Sequence, residues 1–110
     1  MMPYKENVAI KVKEYLDNNF SEDITLKILS KKTFCCIPIM ENSFKELYGE
    51  TIFSYLNKKR FDTAKKYLAE GYYVNETARM VGYKTPTSFS HAYKKIYGVA
   101  PSENRRKFGG

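Results

Sequence analysis

Few side chains in this sequence are equipped for bond-making chemistry. His91 is the only histidine, and Cys35 and Cys36 are the only cysteines. Two neighbouring cysteines suit neither a disulfide with each other nor a four-ligand zinc site. No nucleophile stands beside a base and no ligand cluster is spaced for a metal, so the sequence predicts no enzyme, metal or cofactor. What it carries instead is a charged phrase written twice, Phe44-Lys45-Glu46-Leu47-Tyr48-Gly49 and Tyr93-Lys94-Lys95-Ile96-Tyr97-Gly98. In each copy the first aromatic and the Tyr are four apart and share a helix face. The Lys after the aromatic turns away from that face, and the Gly suits a left-handed helix end. The chemistry that fits is ionic: a helix with an apolar back and a cationic front, made twice.

The charge distribution points the same way. Residues 1–78 hold 12 Lys/Arg and 11 Asp/Glu, whereas residues 79–110 hold 7 Lys/Arg and the single acid Glu103. The balance is thus +1 in the first part and +6 in the second, a field that attracts a polyanion. An apolar content of 43% over 110 residues is enough for one domain, or two small subdomains, with a core and without disorder. No run approaches the ~20 apolar residues of a membrane span. The N-terminus has no signal-peptide pattern, so the protein is expected in the cytoplasm.

The elements that must position these residues are all helical. Val8, Val12, Tyr15, Leu16 and Phe20 predict an amphipathic first helix over about 5–19. Thr25 caps a short second helix burying Leu26 and Leu29, and Thr33 to Cys36 form a tight turn. A third helix runs from about Ile37 to Tyr48, with Pro38 in its first turn. Ile52, Tyr55, Leu56, Ala64, Tyr67 and Leu68 mark a helix of roughly 28 Å at 1.5 Å per residue. Val74 to Val81 is a short fifth helix, and Thr85-Pro86 starts a sixth that closes at Gly98. Pro101 to Lys107 reads as a terminal helix or turn, and Phe108-Gly109-Gly110 as a tail. Leu29-Ser30 corresponds to Thr77-Ala78 and Met40 to Phe89, so each phrase ends a unit of short helix, turn and longer helix. Cys36 and Tyr73 are weak N-caps; Asn75 stands by as a substitute for the latter.

These residues resemble the DNA-binding domain of the AraC/XylS family of transcription regulators. The resemblance covers about Tyr4 to Arg106 and is most specific in the second half: Ala78, Val81-Gly82-Tyr83, Ser88-Phe89, Tyr93-Lys94-Lys95, Tyr97-Gly98-Val99, Pro101-Ser102 and Arg105-Arg106. Leu29, Phe44-Lys45, Gly49, Tyr55, Arg60 and Ala64 carry it in the first half. It implies an all-α fold of about seven helices: two helix-turn-helix subdomains, about 5–50 and 72–107, joined by a linker helix at about 52–70. A linker of that length can hold two reading helices roughly 34 Å apart, one DNA turn, so that both enter the major groove.

Carried over by position, the resemblance implies double-stranded DNA contacts from Pro38, Glu41, Asn42 and Lys45 on the first reading helix. On the second they come from Pro86, Thr87, Ser88, Ser90, His91, Lys94 and Lys95. Arg105 and Arg106 either contact phosphate or cap the last helix. The family often has Arg where this chain has Asn42 and His91, and Arg is the commonest bidentate reader of guanine. Asn42 suits adenine, His91 a guanine acceptor, and Glu41 the N4 of cytosine. Tyr48, Tyr55, Tyr83, Phe89, Tyr93 and Tyr97 are expected in the core, with Arg60 structural. The family joins this domain to an effector or dimerisation domain, expected here as separate or missing, with the chain either the C-terminal fragment of a longer bacterial regulator or a stand-alone member. A second class of function is a helical protein-interaction module, for instance one that contacts RNA polymerase and binds DNA weakly.

Overall fold

The computed structural model describes residues 4–106. The chain forms seven helices in the order α1 (Tyr4–Asn19), α2 (Leu26–Thr33), α3 (Ile37–Tyr48), α4 (Ile52–Glu70), α5 (Val74–Met80), α6 (Pro86–Tyr97) and α7 (Pro101–Asn104). No strand occurs among the described residues. The expected end of the terminal helix at Lys107 and the tail Phe108–Gly110 lie outside them. The chain divides into two compact units between Lys58 and Lys59, inside α4.

The first unit is built on α1 lying across α2 and α3. Val8, Val12 and Leu16, at i, i+4 and i+8, put one stripe of α1 against Leu29, Met40 and Phe44. Ile52 and Leu56 close this core from the start of α4. Burial of each such side chain is worth about 1.5–3 kcal/mol relative to exposure, which offsets the ordering of the chain. Leu26, expected to be buried, is only half so. Tyr55 leans edge-on against Phe44, ring centroids 5.8 Å apart. Its hydroxyl donates to Asp17 Oδ1 at 2.6 Å. Asp17 also takes the Lys13 ammonium at 3.0 Å, one turn back on α1.

The second unit is aromatic at heart. Phe61 of α4 stacks on Phe89 of α6 (centroids 5.7 Å apart, planes 15° apart). Tyr83 and Tyr93 close around the pair, their rings 5.4 and 6.3 Å from Phe61. Phe89 and Tyr93 are fully buried, as are Met40 and Phe44 at the matching places in the first unit. Arg60 and Tyr83 are both half-buried; burial raises the Tyr83 hydroxyl pKa, and the Arg60 charge acts against that rise. The segment after α7 is tied down by Arg106 N–H donating to Leu68 O at 2.8 Å. Asn104 Nδ2 donates to the Tyr93 hydroxyl at 2.6 Å.

Local chemistry sets the helix ends. Thr25 Oγ1 accepts from Ile28 N–H at 3.1 Å, and Thr85 Oγ1 from Ser88 N–H at 3.2 Å. Gly49 and Gly98 end α3 and α6 at φ 76° and 78°, with nothing within 4 Å of where a Cβ would stand. Backbone angle, not lack of room, therefore requires glycine at both places. Cys36 gives α3 no side-chain cap. At α5 the substitute is not Asn75: Glu76 reaches back, its Oε1 accepting from Tyr73 N–H at 3.1 Å. A carboxylate on a longer side chain at the third helical position spans the distance that the shorter amide at the second does not.

The turns differ between the units. α2 keeps Thr33, whose Oγ1 donates to Leu29 O at 2.9 Å, so the turn begins one residue later than expected. Its left-handed residue is Phe34 (φ 54°), followed by Cys35 N–H donating to Ser30 O at 3.2 Å. In the second unit Gly82 (φ 97°) plays that part, followed by Tyr83 N–H donating to Ala78 O at 2.9 Å. Two residues then separate Phe34 from α3, and three separate Gly82 from α6. The second turn is one residue longer, which is why the repeat offset is 48 before the turn and 49 after it.

Candidate nucleic-acid interface

Burying Met40, Ser43 and Phe44 turns the opposite side of α3 to solvent. At 100° per residue, Pro38, Glu41, Asn42 and Lys45 fall on that side as one stripe, and all four are exposed. The stripe borders an open depression that it lines together with Thr51 and Ile52. Thr51 was not foreseen; its hydroxyl accepts from Ser54 N–H at 3.1 Å and so caps α4 beside the stripe.

The same logic holds on α6. Phe89 and Tyr93 are buried, and Thr87, His91 and Lys94 are exposed on the far side with Ser90 half-buried between them. Pro86, also exposed, heads the helix. Lys45 and Lys94 occupy equivalent positions, as do Asn42 and His91, and Glu41 and Ser90. The α6 stripe carries no carboxylate, whereas Glu41 sits inside the α3 stripe.

Three of the expected contact residues are placed differently. Ser88 lies around the helix from Thr87, and its hydroxyl is engaged with Thr85, 2.7 Å from Oγ1 and 3.2 Å from the carbonyl. Lys95 is exposed but about 100° from Lys94. Arg105 is carried to the start of α5: its Nε donates to Tyr72 O at 3.1 Å, and its guanidinium stacks 4.2 Å from the Tyr73 ring centre. That geometry joins two segments of the second unit and commits Nε to Tyr72 rather than to the end of α7. Tyr97, at the end of α6, points its hydroxyl at Asp62 Oδ1 3.4 Å away. Burial, with that carboxylate and Tyr93 beside it, pushes its pKa up to about 12.

Among the described residues no group of His, Cys, Asp or Glu could hold a metal ion, and no helix is long and apolar enough to cross a membrane. Cys35 is buried and Cys36 exposed, both as free thiols.

The family model described as "Helix-turn-helix domain" matches residues 30–107. Among curated relatives, the bifunctional transcriptional activator/DNA repair enzyme AdaA of Bacillus subtilis is 32% identical over 106 residues, covering 96% of this chain and 50% of that protein. The HTH-type transcriptional regulator YisR of the same organism is 31% identical over 103 residues, covering 93% and 36%. This chain thus spans half or less of the length of these relatives. The C-terminal domain of AraT, a response regulator from Geobacillus stearothermophilus, superposes with a TM-score of 0.85 at 25% identity, covering 94% of this chain and 91% of that one. A probable AraC family transcriptional regulator from Rhodopseudomonas palustris shares the fold with a TM-score of 0.76 at 24% identity, covering 89% and 94%. So does the DNA-binding domain of AdpA, solved with a target DNA, with a TM-score of 0.76 at 21% identity, covering 87% and 86%. Two helix-turn-helix units with matched exposed stripes, and these likenesses over nearly the whole chain, establish that the chain belongs to the AraC/XylS family of helix-turn-helix DNA-binding domains of transcription regulators.

Proposed function

We propose that this chain is the sequence-specific double-stranded DNA-binding part of a bacterial transcription regulator, placing α3 and α6 in successive major grooves. The observation that carries the reading is the pair of equivalent exposed stripes, each set opposite a buried pair of large side chains. On this reading Lys45 and Lys94 contact phosphates and position their helices without reading sequence. Asn42 pairs bidentately with adenine N6/N7, His91 donates to a guanine acceptor, and Glu41 accepts from cytosine N4. The helices contribute no catalysis, and the work is binding in the cytoplasm. An effector or dimerisation domain belongs to the remainder of the regulator, and RNA polymerase is a further candidate partner at the promoter.

The test is fluorescence anisotropy of a random-sequence duplex pool across a salt series, followed by sequencing of the retained DNA. A steep salt slope and two enriched boxes one helical turn apart support both reading helices. Enrichment of one box leaves α6 as the reader and the Glu41-bearing helix as a support. Absence of binding at low salt overturns the DNA reading and leaves the protein-interaction module.

A further inference from the structure

The positive charge of the second unit is not confined to the α6 stripe. Between Arg79 and Gly98 the chain carries Arg79, Lys84, Lys94 and Lys95 and no carboxylate. Two of these cations, Arg79 and Lys84, line one open depression of about 300 Å³ together with Asn75, Ala78, Tyr83 and Pro86. Asn75, Ala78 and Arg79 are i, i+3 and i+4 on α5 and so share a face. Ala78, 1% exposed, makes the floor with almost no side chain, and the half-buried Tyr83 makes a wall. Lys84 comes from the longer turn; the shorter turn of the first unit passes from the buried Cys35 directly to Cys36. The one carboxylate of α5, Glu76, is turned back onto Tyr73 N–H. The first turn of α6 opens beside Pro86, which adds the positive end of a 12-residue helix.

We propose that the depression lined by Asn75, Arg79 and Lys84 seats one backbone phosphate of duplex DNA and thereby sets the register of α6. The chemistry is that of an anion site: a guanidinium fork that meets two phosphate oxygens, an ammonium as a second charge, and an amide donor. These residues position the reading helix and contact no base. The proposal rests on the DNA-binding reading above and extends it to residues outside the stripe.

Anisotropy titrations of one fixed duplex, over a salt series, compare the parent chain with Arg79→Gln, Lys84→Gln and Arg79→Lys. Arg79→Gln is expected to weaken binding about tenfold, the loss of a charged hydrogen-bonded contact. It should do so equally for duplexes of different sequence and flatten the salt slope by about 1. Arg79→Lys restores the slope and only part of the affinity, because it keeps the charge and loses the fork. A scan of the duplex with single neutral methylphosphonates is expected to find one phosphate whose neutralisation weakens the parent chain markedly more than Arg79→Gln, in which only Lys84 and Asn75 still hold it. Circular dichroism on each variant confirms folding, since Arg79 and Lys84 are exposed. Parent-like affinity and slope for both glutamine variants overturn the phosphate seat while leaving the DNA reading in place. So does a loss that varies with sequence. Failure of the parent chain to bind any duplex overturns both.

Discussion

Phe34 offers a measurement of backbone strain with few other variables. It holds φ 54° at the end of α2, where the second unit has Gly82, and its side chain is 88% exposed. A left-handed backbone costs a residue with a Cβ roughly 1–2 kcal/mol. Replacing Phe34 by Gly removes that cost but restores about 0.5–1 kcal/mol of unfolded-chain entropy. Loss of ring burial is small, because the ring is almost wholly in water, and the Tyr4 hydroxyl donates to the Phe34 carbonyl, which any residue retains. The net expectation for Phe34→Gly is a gain of about 0.5–1 kcal/mol, a rise of several degrees in the midpoint of the first unit. Urea and thermal unfolding followed by circular dichroism measure it, with Phe34→Ala as the control. Alanine keeps a Cβ and hence the strain, so it should gain nothing. Equal gains for Ala and Gly would mean that the exposed ring, not the backbone angle, is the liability. No gain for Gly would refute the strain argument outright.

Other consequences can be checked in the same preparations. Phe89→Ala removes a fully buried ring from the Phe61–Tyr83–Tyr93 cluster and is expected to destabilise the second unit by about 3–5 kcal/mol, read by loss of its cooperative unfolding transition. Tyr55→Phe deletes the hydroxyl that donates to Asp17 and should cost about 1 kcal/mol by urea titration. Glu41→Gln removes the carboxylate from the α3 stripe and is expected to tighten binding to random duplex about two- to fivefold at low salt, an advantage that fades as salt rises. Tyr97 holds its proton in the fold up to about pH 12 against an unfolded value near 10. Its contribution to stability is therefore complete below pH 10 and is lost as pH rises from 10 to about 12. Ultraviolet absorbance should show a phenolate step at the upper end of that window, absent in Tyr97→Phe.

Much of this architecture is legible in the residues because short-range rules dominate helical proteins. The apolar spacing of Val8, Val12 and Leu16, the caps Thr25 and Thr85, and the stops Gly49 and Gly98 each act within one or two helical turns. They mark the helices before any long-range contact is known. The aromatic-then-Lys phrase likewise determines which side of α3 and α6 faces water, since the residue after the buried ring is turned about 100° around the helix, and both Lys45 and Lys94 are exposed there. Other features depended on how side chains meet in space. Glu76 rather than Asn75 completes the start of α5, because reach and rotamer, not proximity in sequence, decide which acceptor meets the Tyr73 amide. Arg105 belongs to Tyr72 and Tyr73, more than 30 residues away, a pairing that no local pattern announces. Arg79 and Lys84 counted toward the basic end of the chain, but only the crossing of α5 with the turn before α6 gathers them around one depression. Sequence alone thus determined the helices, their exposed faces and the sign of the field. The tertiary structure decided which charges converge, because convergence depends on chain crossings that hydrophobic periodicity does not encode.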